Sequence, residues 1–155
     1  MNFMKREMGF TLIELIVGMT IVLTIFGLTF INFTPLPSRT SSSASSFTIL
    51  SDIKAQQTRA MSGDAEGAVQ SDYGIHFENT SYTLFTGPSY VPGASGNFSV
   101  EFTDANLSFT GVTFPNSSIV FAKGSGETIP GSFEITNSLT GEVKTFNLNK
   151  YGATY

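Results

Sequence analysis

Apolar residues run almost unbroken over residues 10–33, FTLIELIVGMTIVLTIFGLTFINF, and Glu14 is the single charge among them. Such a run predicts a helix. At a rise of ~1.5 Å per residue it would be about 36 Å long, enough for a bilayer hydrocarbon core of ~30 Å. A carboxylate inside the run costs roughly 2.5–3.5 kcal/mol on insertion scales and therefore marks a functional position. The pattern breaks over residues 34–46, TPLPSRTSSSASS. Pro35 and Pro37 bias Thr34 and Leu36 away from α geometry, which predicts a kink or a short non-helical link. Helical spacing returns over residues 47–62. Phe47, Leu50, Ile53 and Met61 form an apolar stripe there, with Asp52, Lys54 and Arg59 off it. Ser45 or Ser46 is the expected cap at its start, and Gly63 the stop.

Beyond a small, polar stretch at 64–71 the period changes to two. Tyr73, Ile75 and Phe77 alternate with Gly74, His76 and Glu78, and Tyr82–Thr86 answers across an Asn79-Thr80-Ser81 turn. Residues 87–96 are a Pro/Gly loop. Phe98, Val100 and Phe102 alternate next. Leu107 and Phe109, then Val112 and Phe114, read as a strand interrupted at Gly111, where a bulge fits. Ile119 and Phe121 make a short strand. A glycine-rich turn over 123–131 leads to a last hairpin from Phe133 and Ile135 to 143–148. A helix followed by about seven strands argues for α+β with an antiparallel sheet packed on the helix.

The flank of the first run is distinctive. MNFMKREMG is a short polar leader with Lys5 and Arg6, ending at Gly9. Gly9-Phe10-Thr11-Leu12-Ile13-Glu14 resembles the class III signal of type IV pilins and type II secretion pseudopilins. A secretory signal would be cut after its apolar run, at small residues; an ordinary anchor helix would explain the length but not Glu14 or the junction. Arg59-Ala60-Met61, the YGIHF-turn-YTLF hairpin and the pattern SSIVFAKGSG…GSFEITN…GEVKTFNLNKYGAT resemble the GspH/FimT branch, so the likeness covers nearly the whole chain.

The resemblance implies a pilin-like α+β fold, a long N-terminal transmembrane helix packed on a C-terminal antiparallel β-sheet domain. It divides the chain into a leader (1–9), a transmembrane and assembly helix (10–33), a Ser/Pro-rich link (34–46) and a globular domain (47–155, with strands over 72–149). It implies cleavage between Gly9 and Phe10 and methylation of the Phe10 amine by a prepilin peptidase/methyltransferase. It also implies a structural role as a minor subunit of a type IV pilus or type II secretion pseudopilus. The implied partners are other pilins in a helical filament, an inner-membrane assembly platform, and lipid before assembly. Glu14 would meet the Phe10 amine of a neighbouring subunit. Lys5 and Arg6 place the leader in the cytoplasm by the positive-inside rule, so the protein would be single-pass in the inner membrane with its C-terminus outside. Gly18 and Gly27 would let neighbouring helices approach.

Charge argues against nucleic acid. The net charge of −4 becomes −5 without Lys5, Arg6 and Glu7, and from residue 64 onward nine acids face three lysines. Phosphate binding needs clustered Lys and Arg. DNA uptake, known for some FimT-like pilins, is the alternative function, with Lys144 and Lys150 as its candidate cations. Cysteine is absent, which excludes disulfides and thiolate chemistry; the core must come from apolar side chains, with fifteen Phe available. His76 is the single histidine and is expected exposed on its strand. It lacks the partners that a general base or a metal site requires. Glu101 and Asp104, in or near one strand, and Asp64, Glu66 and Asp72, clustered in one loop, lack a calcium-loop signature. The glycines at 124, 126 and 131 do not precede a helix, so they make no phosphate cradle. No enzyme activity, catalytic residue, metal or cofactor is expected; the protein would be the substrate of an enzyme.

Overall fold

A computed structural model describes residues 10–31, 36–63 and 70–155. The chain divides into two units, Met1–Leu36 and Pro37–Tyr155. The first holds helix α1, Leu12–Ile31. The second holds helix α2, Leu36–Ser62, which begins at its boundary, and, among the described residues, seven strands.

Among the described residues no helix is long and apolar enough to cross a membrane. This corrects the transmembrane helix expected over 10–33 and the single-pass inner-membrane placement. The reason lies at the start of the run. Helix α1 begins only at Leu12 and carries Glu14 in its first turn. The uncharged helical stretch from Leu15 to Ile31 is then roughly 26 Å, short of the ~30 Å hydrocarbon core.

Helix α2 replaces the link expected over 34–46. Residues 32–35 lie outside the described residues, but the chain is helical from Leu36 onward. Pro37 falls in the first turn, where its missing N–H has no partner to lose. The serine run is helical all the same, and hydroxyls there and beyond it bond back along the helix: Ser46 Oγ donates to Ser42 O at 2.7 Å, and Thr48 and Ser51 do likewise. Ser45 and Ser46 are therefore mid-helix, not caps. Gly63 does stop the helix: its φ is +77°, and its N–H reaches Arg59 O at 2.8 Å, the left-handed C-terminal motif.

The buried face of α2 also differs from the expected stripe. Phe47 is 75% exposed and Met61 50%. The inward residues are Ser42, Ser46, Ile49, Ile53, Gln56 and Ala60, at steps of three and four. Two serines permit close approach, and the buried Gln56 side chain donates to Gly74 O at 2.9 Å.

The strands are β1 (Tyr73–Phe77), β2 (Ser81–Thr86), β3 (Phe98–Glu101), β4 (Leu107–Thr110), β5 (Ser118–Phe121), β6 (Gly131–Asn137) and β7 (Val143–Leu148). They form two antiparallel sheets rather than one: sheet A in the order β3-β2-β1-β5 and sheet B in the order β4-β6-β7. Gly111, at φ +58°, ends β4, and the chain resumes contact with β6 through Thr113 and Ser132. One core joins α2 to the inner faces of both sheets: Ile49 and Ile53, then Tyr73, Ile75, Phe77 and Ile119 from sheet A, and Phe109, Phe133, Ile135 and Leu148 from sheet B. Phe98, on edge strand β3, is 65% exposed despite its alternating pattern.

Further polar ties hold α2 on this core. The Tyr82 hydroxyl donates to Asp52 Oδ2 at 2.5 Å. Gln57 Nε2 donates to Gly126 O at 3.0 Å and Tyr151 O at 2.7 Å, clamping the C-terminal turn. Burial, then the bond to the Asp52 carboxylate and its charge, push the Tyr82 phenol well above its usual range. A raised folded pKa means that the native state holds its proton longer than the unfolded chain. Stability from Tyr82 is therefore complete below about pH 10 and is lost as pH rises beyond it, at up to ~1.4 kcal/mol per pH unit. Tyr82→Phe should cost about 1.5 kcal/mol at neutral pH, a typical value for a hydrogen bond to a charged group. Urea midpoints of both proteins, taken at about pH 8 and about pH 11, check this. The wild type should lose more stability than the variant at the higher pH; equal losses would remove Tyr82 from the account.

Candidate functional site

The sequence places function at the start of α1. Gly9 and the leader lie outside the described residues. Phe10 is 87% exposed. Thr11 precedes the helix and binds Glu14 reciprocally: the Glu14 N–H donates to Thr11 Oγ1 at 3.4 Å, while the Thr11 N–H and hydroxyl donate to Glu14 Oε2 at 3.3 and 3.1 Å. This is a capping box, in which a Thr and a Glu three residues on satisfy helix-end donors. The signal, Thr-x-x-Glu before an apolar run, is present in the sequence, although reading Glu14 as a lone acid in an apolar run overlooks it. Both bonds to the carboxylate use one oxygen. Phe10, Glu14, Gly18 and Val22 follow at steps of four and line a shallow apolar groove on α1.

A second site lies on the outer face of sheet A. Gly74, His76, Thr83 and Phe85 occupy that face, because the register sets Gly74 against Phe85 and His76 against Thr83. The face is half covered. Phe85 is 2% exposed, and Tyr90, from the loop after β2, packs on it at a ring distance of 5.7 Å. Tyr90 also stacks on His76, with centroids 4.0 Å apart and planes 11° from parallel. The exposed histidine expected from strand phase is therefore corrected: His76 is half-buried under a loop. Tyr90 escaped sequence reasoning because its loop has no period.

His76 Nδ1 lies 2.9 Å from Ser118 Oγ, and that hydroxyl donates to Asn116 O at 3.0 Å. A hydroxyl has one proton, and a carbonyl can only accept. Ser118 thus accepts from Nδ1–H, which leaves Nε2 as the ring's second polar atom. The same assignment means that Ser118 does not give its proton to His76, so the two are not a nucleophile and its base. Pro88, Ser89, Pro115, Asn116, Val120 and Ile129 complete the described lining of a cavity of about 370 Å³ around these rings. Asn116 and Ser117 both hold left-handed backbone, with φ of +52° and +51°. That conformation costs a non-glycine residue about 1 kcal/mol or more.

The acids do not converge. Among the described residues no group of three or more His, Asp or Glu is placed to hold a metal; Asp64 and Glu66 lie outside them. Asp72 Oδ1 accepts the Lys123 N–H at 2.8 Å, Asp104 Oδ1 accepts the Asn106 N–H at 3.0 Å, and Glu101 stays on the β3 edge. Lys144 pairs with Glu142 at 3.7 Å and Lys150 with Glu127 at 3.2 Å, so each candidate cation for DNA already faces a carboxylate. No protein-family model, characterised protein or solved structure matches this chain.

Proposed function

We propose that this chain is a minor subunit of a pilin- or pseudopilin-type filament, cut between Gly9 and Phe10, methylated at Phe10 and assembled through α1. The observation that carries the reading is the surface of α1. Every described side chain from Phe10 to Gly27 is exposed, among them Leu12 at 79%, Leu23 at 70% and Phe26 at 61%. A helix apolar all round is stable only when covered. Helices of neighbouring subunits would supply that cover, and a Cβ at Gly18 or Gly27 would meet nothing within 4 Å in the single chain, leaving both open to close approach.

Glu14 has two compatible roles in this reading. One oxygen closes the capping box; the other remains able to accept a cation. Paired with a neighbour's Phe10 amine in a low-dielectric bundle, it would set axial register, since a slip would leave the acid buried and unpaired.

The test has two parts. Mass spectrometry of the protein from cells with an active prepilin peptidase should show a chain beginning at methylated Phe10; an intact leader defeats the processing claim. Sheared filaments should contain less Glu14→Val than wild type at equal cellular abundance. Glu14→Gln separates the roles, because Gln also closes a capping box but carries no charge. It should incorporate as poorly as Glu14→Val. Wild-type incorporation of Glu14→Gln would leave Glu14 with capping alone.

A further inference from the structure

We propose that the cavity over the outer face of sheet A binds a single uncharged sugar ring, with His76 and Tyr90 as its platform. The inference stands on this cavity alone and does not depend on the filament reading.

The site is held in place by successive supports. Gly74 leaves room for Phe85, Phe85 backs Tyr90, Tyr90 stacks on His76, and Ser118 fixes His76 through Nδ1. The imidazole is thus oriented, with Nε2 as its remaining polar atom. Pro88 and Pro115 stiffen two sides of the rim. The left-handed Asn116 sits on that rim, with the left-handed Ser117 next to it in the chain. Strained backbone of this kind persists where surroundings hold it, and it gathers at ligand sites.

The lining selects the ligand class. Among the described residues no Asp, Glu, Lys or Arg lines the cavity, so a charged ligand would lose water without gaining a counter-charge from them. A purely apolar ligand would cover the half-buried His76 and Tyr90 without giving their polar atoms partners, while the exposed Ser89 and Asn116 add donors and acceptors at the rim. What remains is an uncharged group with several hydroxyl donors and one apolar face, and a pyranose ring has both. Its hydroxyls can donate to Nε2 and exchange hydrogen bonds with Asn116, and its C–H face can lie on an aromatic ring or a proline. A volume of about 370 Å³ is at the small end of ligand pockets, roughly 300–1,000 Å³. That suits one ring rather than a long polymer. A small polar ligand in an open site binds weakly, with a Kd on the order of 1 mM.

Saturation-transfer NMR of the full chain tests this, with methyl α-glucoside, methyl β-galactoside and N-acetylglucosamine as probes. At least one should receive saturation through its ring protons. Tyr90→Ala should weaken that sugar about tenfold, which is ~1.4 kcal/mol. Because Tyr90→Ala can also unsettle its loop, Asn116→Gly is the second variant. Glycine adopts φ +52° freely, so this variant should fold at least as well as wild type yet bind the sugar at least about threefold more weakly. No transfer to any probe at about 20 mM, some twentyfold above the expected Kd, overturns the proposal. So does binding that neither variant changes. Transfer to a short proline peptide with none to the sugars also overturns it and assigns the cavity to peptide.

Discussion

Phe133→Ala should cost about 3–5 kcal/mol, a large share of a domain stability of about 5–15 kcal/mol. Phe133 is fully buried at the centre of β6. Its ring lies 5.0 Å from Phe77 of sheet A, 6.0 Å from Phe109 of β4 and 5.0 Å from Phe146 of β7. With Phe109, which lies 5.1 Å from Phe77 and 6.1 Å from Tyr82, it is one of two sheet B rings that meet sheet A. Deleting it removes apolar burial and leaves a cavity that three rings on different strands cannot close together. The chain has no Trp, so urea denaturation is followed by tyrosine fluorescence. A loss well below about 1 kcal/mol would mean that the inward phase of β6 is not the core.

That phase was legible in the sequence for a physical reason. A strand with one wet face must alternate, and β1 and β6 do so in the residues themselves. The division into two sheets was not legible. Strand β5 joins β1 and β6 joins β4, pairings that close over long stretches and leave no local periodic trace. The buried face of α2 was misread for a different reason. Hydrophobicity points to Phe47 and Met61, whereas the helix buries Gln56, whose amide has a carbonyl waiting on β1, and two serines small enough to let the backbone approach.

The candidate sites divide in the same way. Glu14 stood out because a charge in an apolar run is costly, yet its nearest partner, Thr11, was three residues away and readable as a cap. The apolar run suggested a span. What shortens the uncharged helix is where α1 starts and where Glu14 sits, a matter of capping geometry rather than of composition. His76 was correctly put on the polar phase of β1, but phase says nothing about a loop folding over that face. Tyr90 and the left-handed turn at Asn116 come from segments whose order is set by tertiary packing alone.

Gly74→Ala should destabilise the protein by about 3 kcal/mol, the upper end of the overpacking range. Two effects oppose each other. Alanine costs less entropy in a strand than glycine, a gain of roughly 0.5–1 kcal/mol. Against that, the new Cβ would lie 2.4 Å from Phe85 Cζ and 2.6 Å from Ile119 O. The carbonyl belongs to the backbone of β5, paired with β1, and the Phe85 ring is buried beneath Tyr90. Neither can yield without disturbing the sheet or the aromatic stack, so the clash outweighs the entropy. Phe85→Leu should itself cost about 1 kcal/mol but shortens the ring that meets the new methyl. The double variant should therefore be more stable than the two single losses added together, with a coupling of at least about 1 kcal/mol. Urea midpoints of the four proteins measure that coupling. Strict additivity would show that Phe85 does not press on Gly74, and the support proposed for Tyr90 and His76 would lose its base.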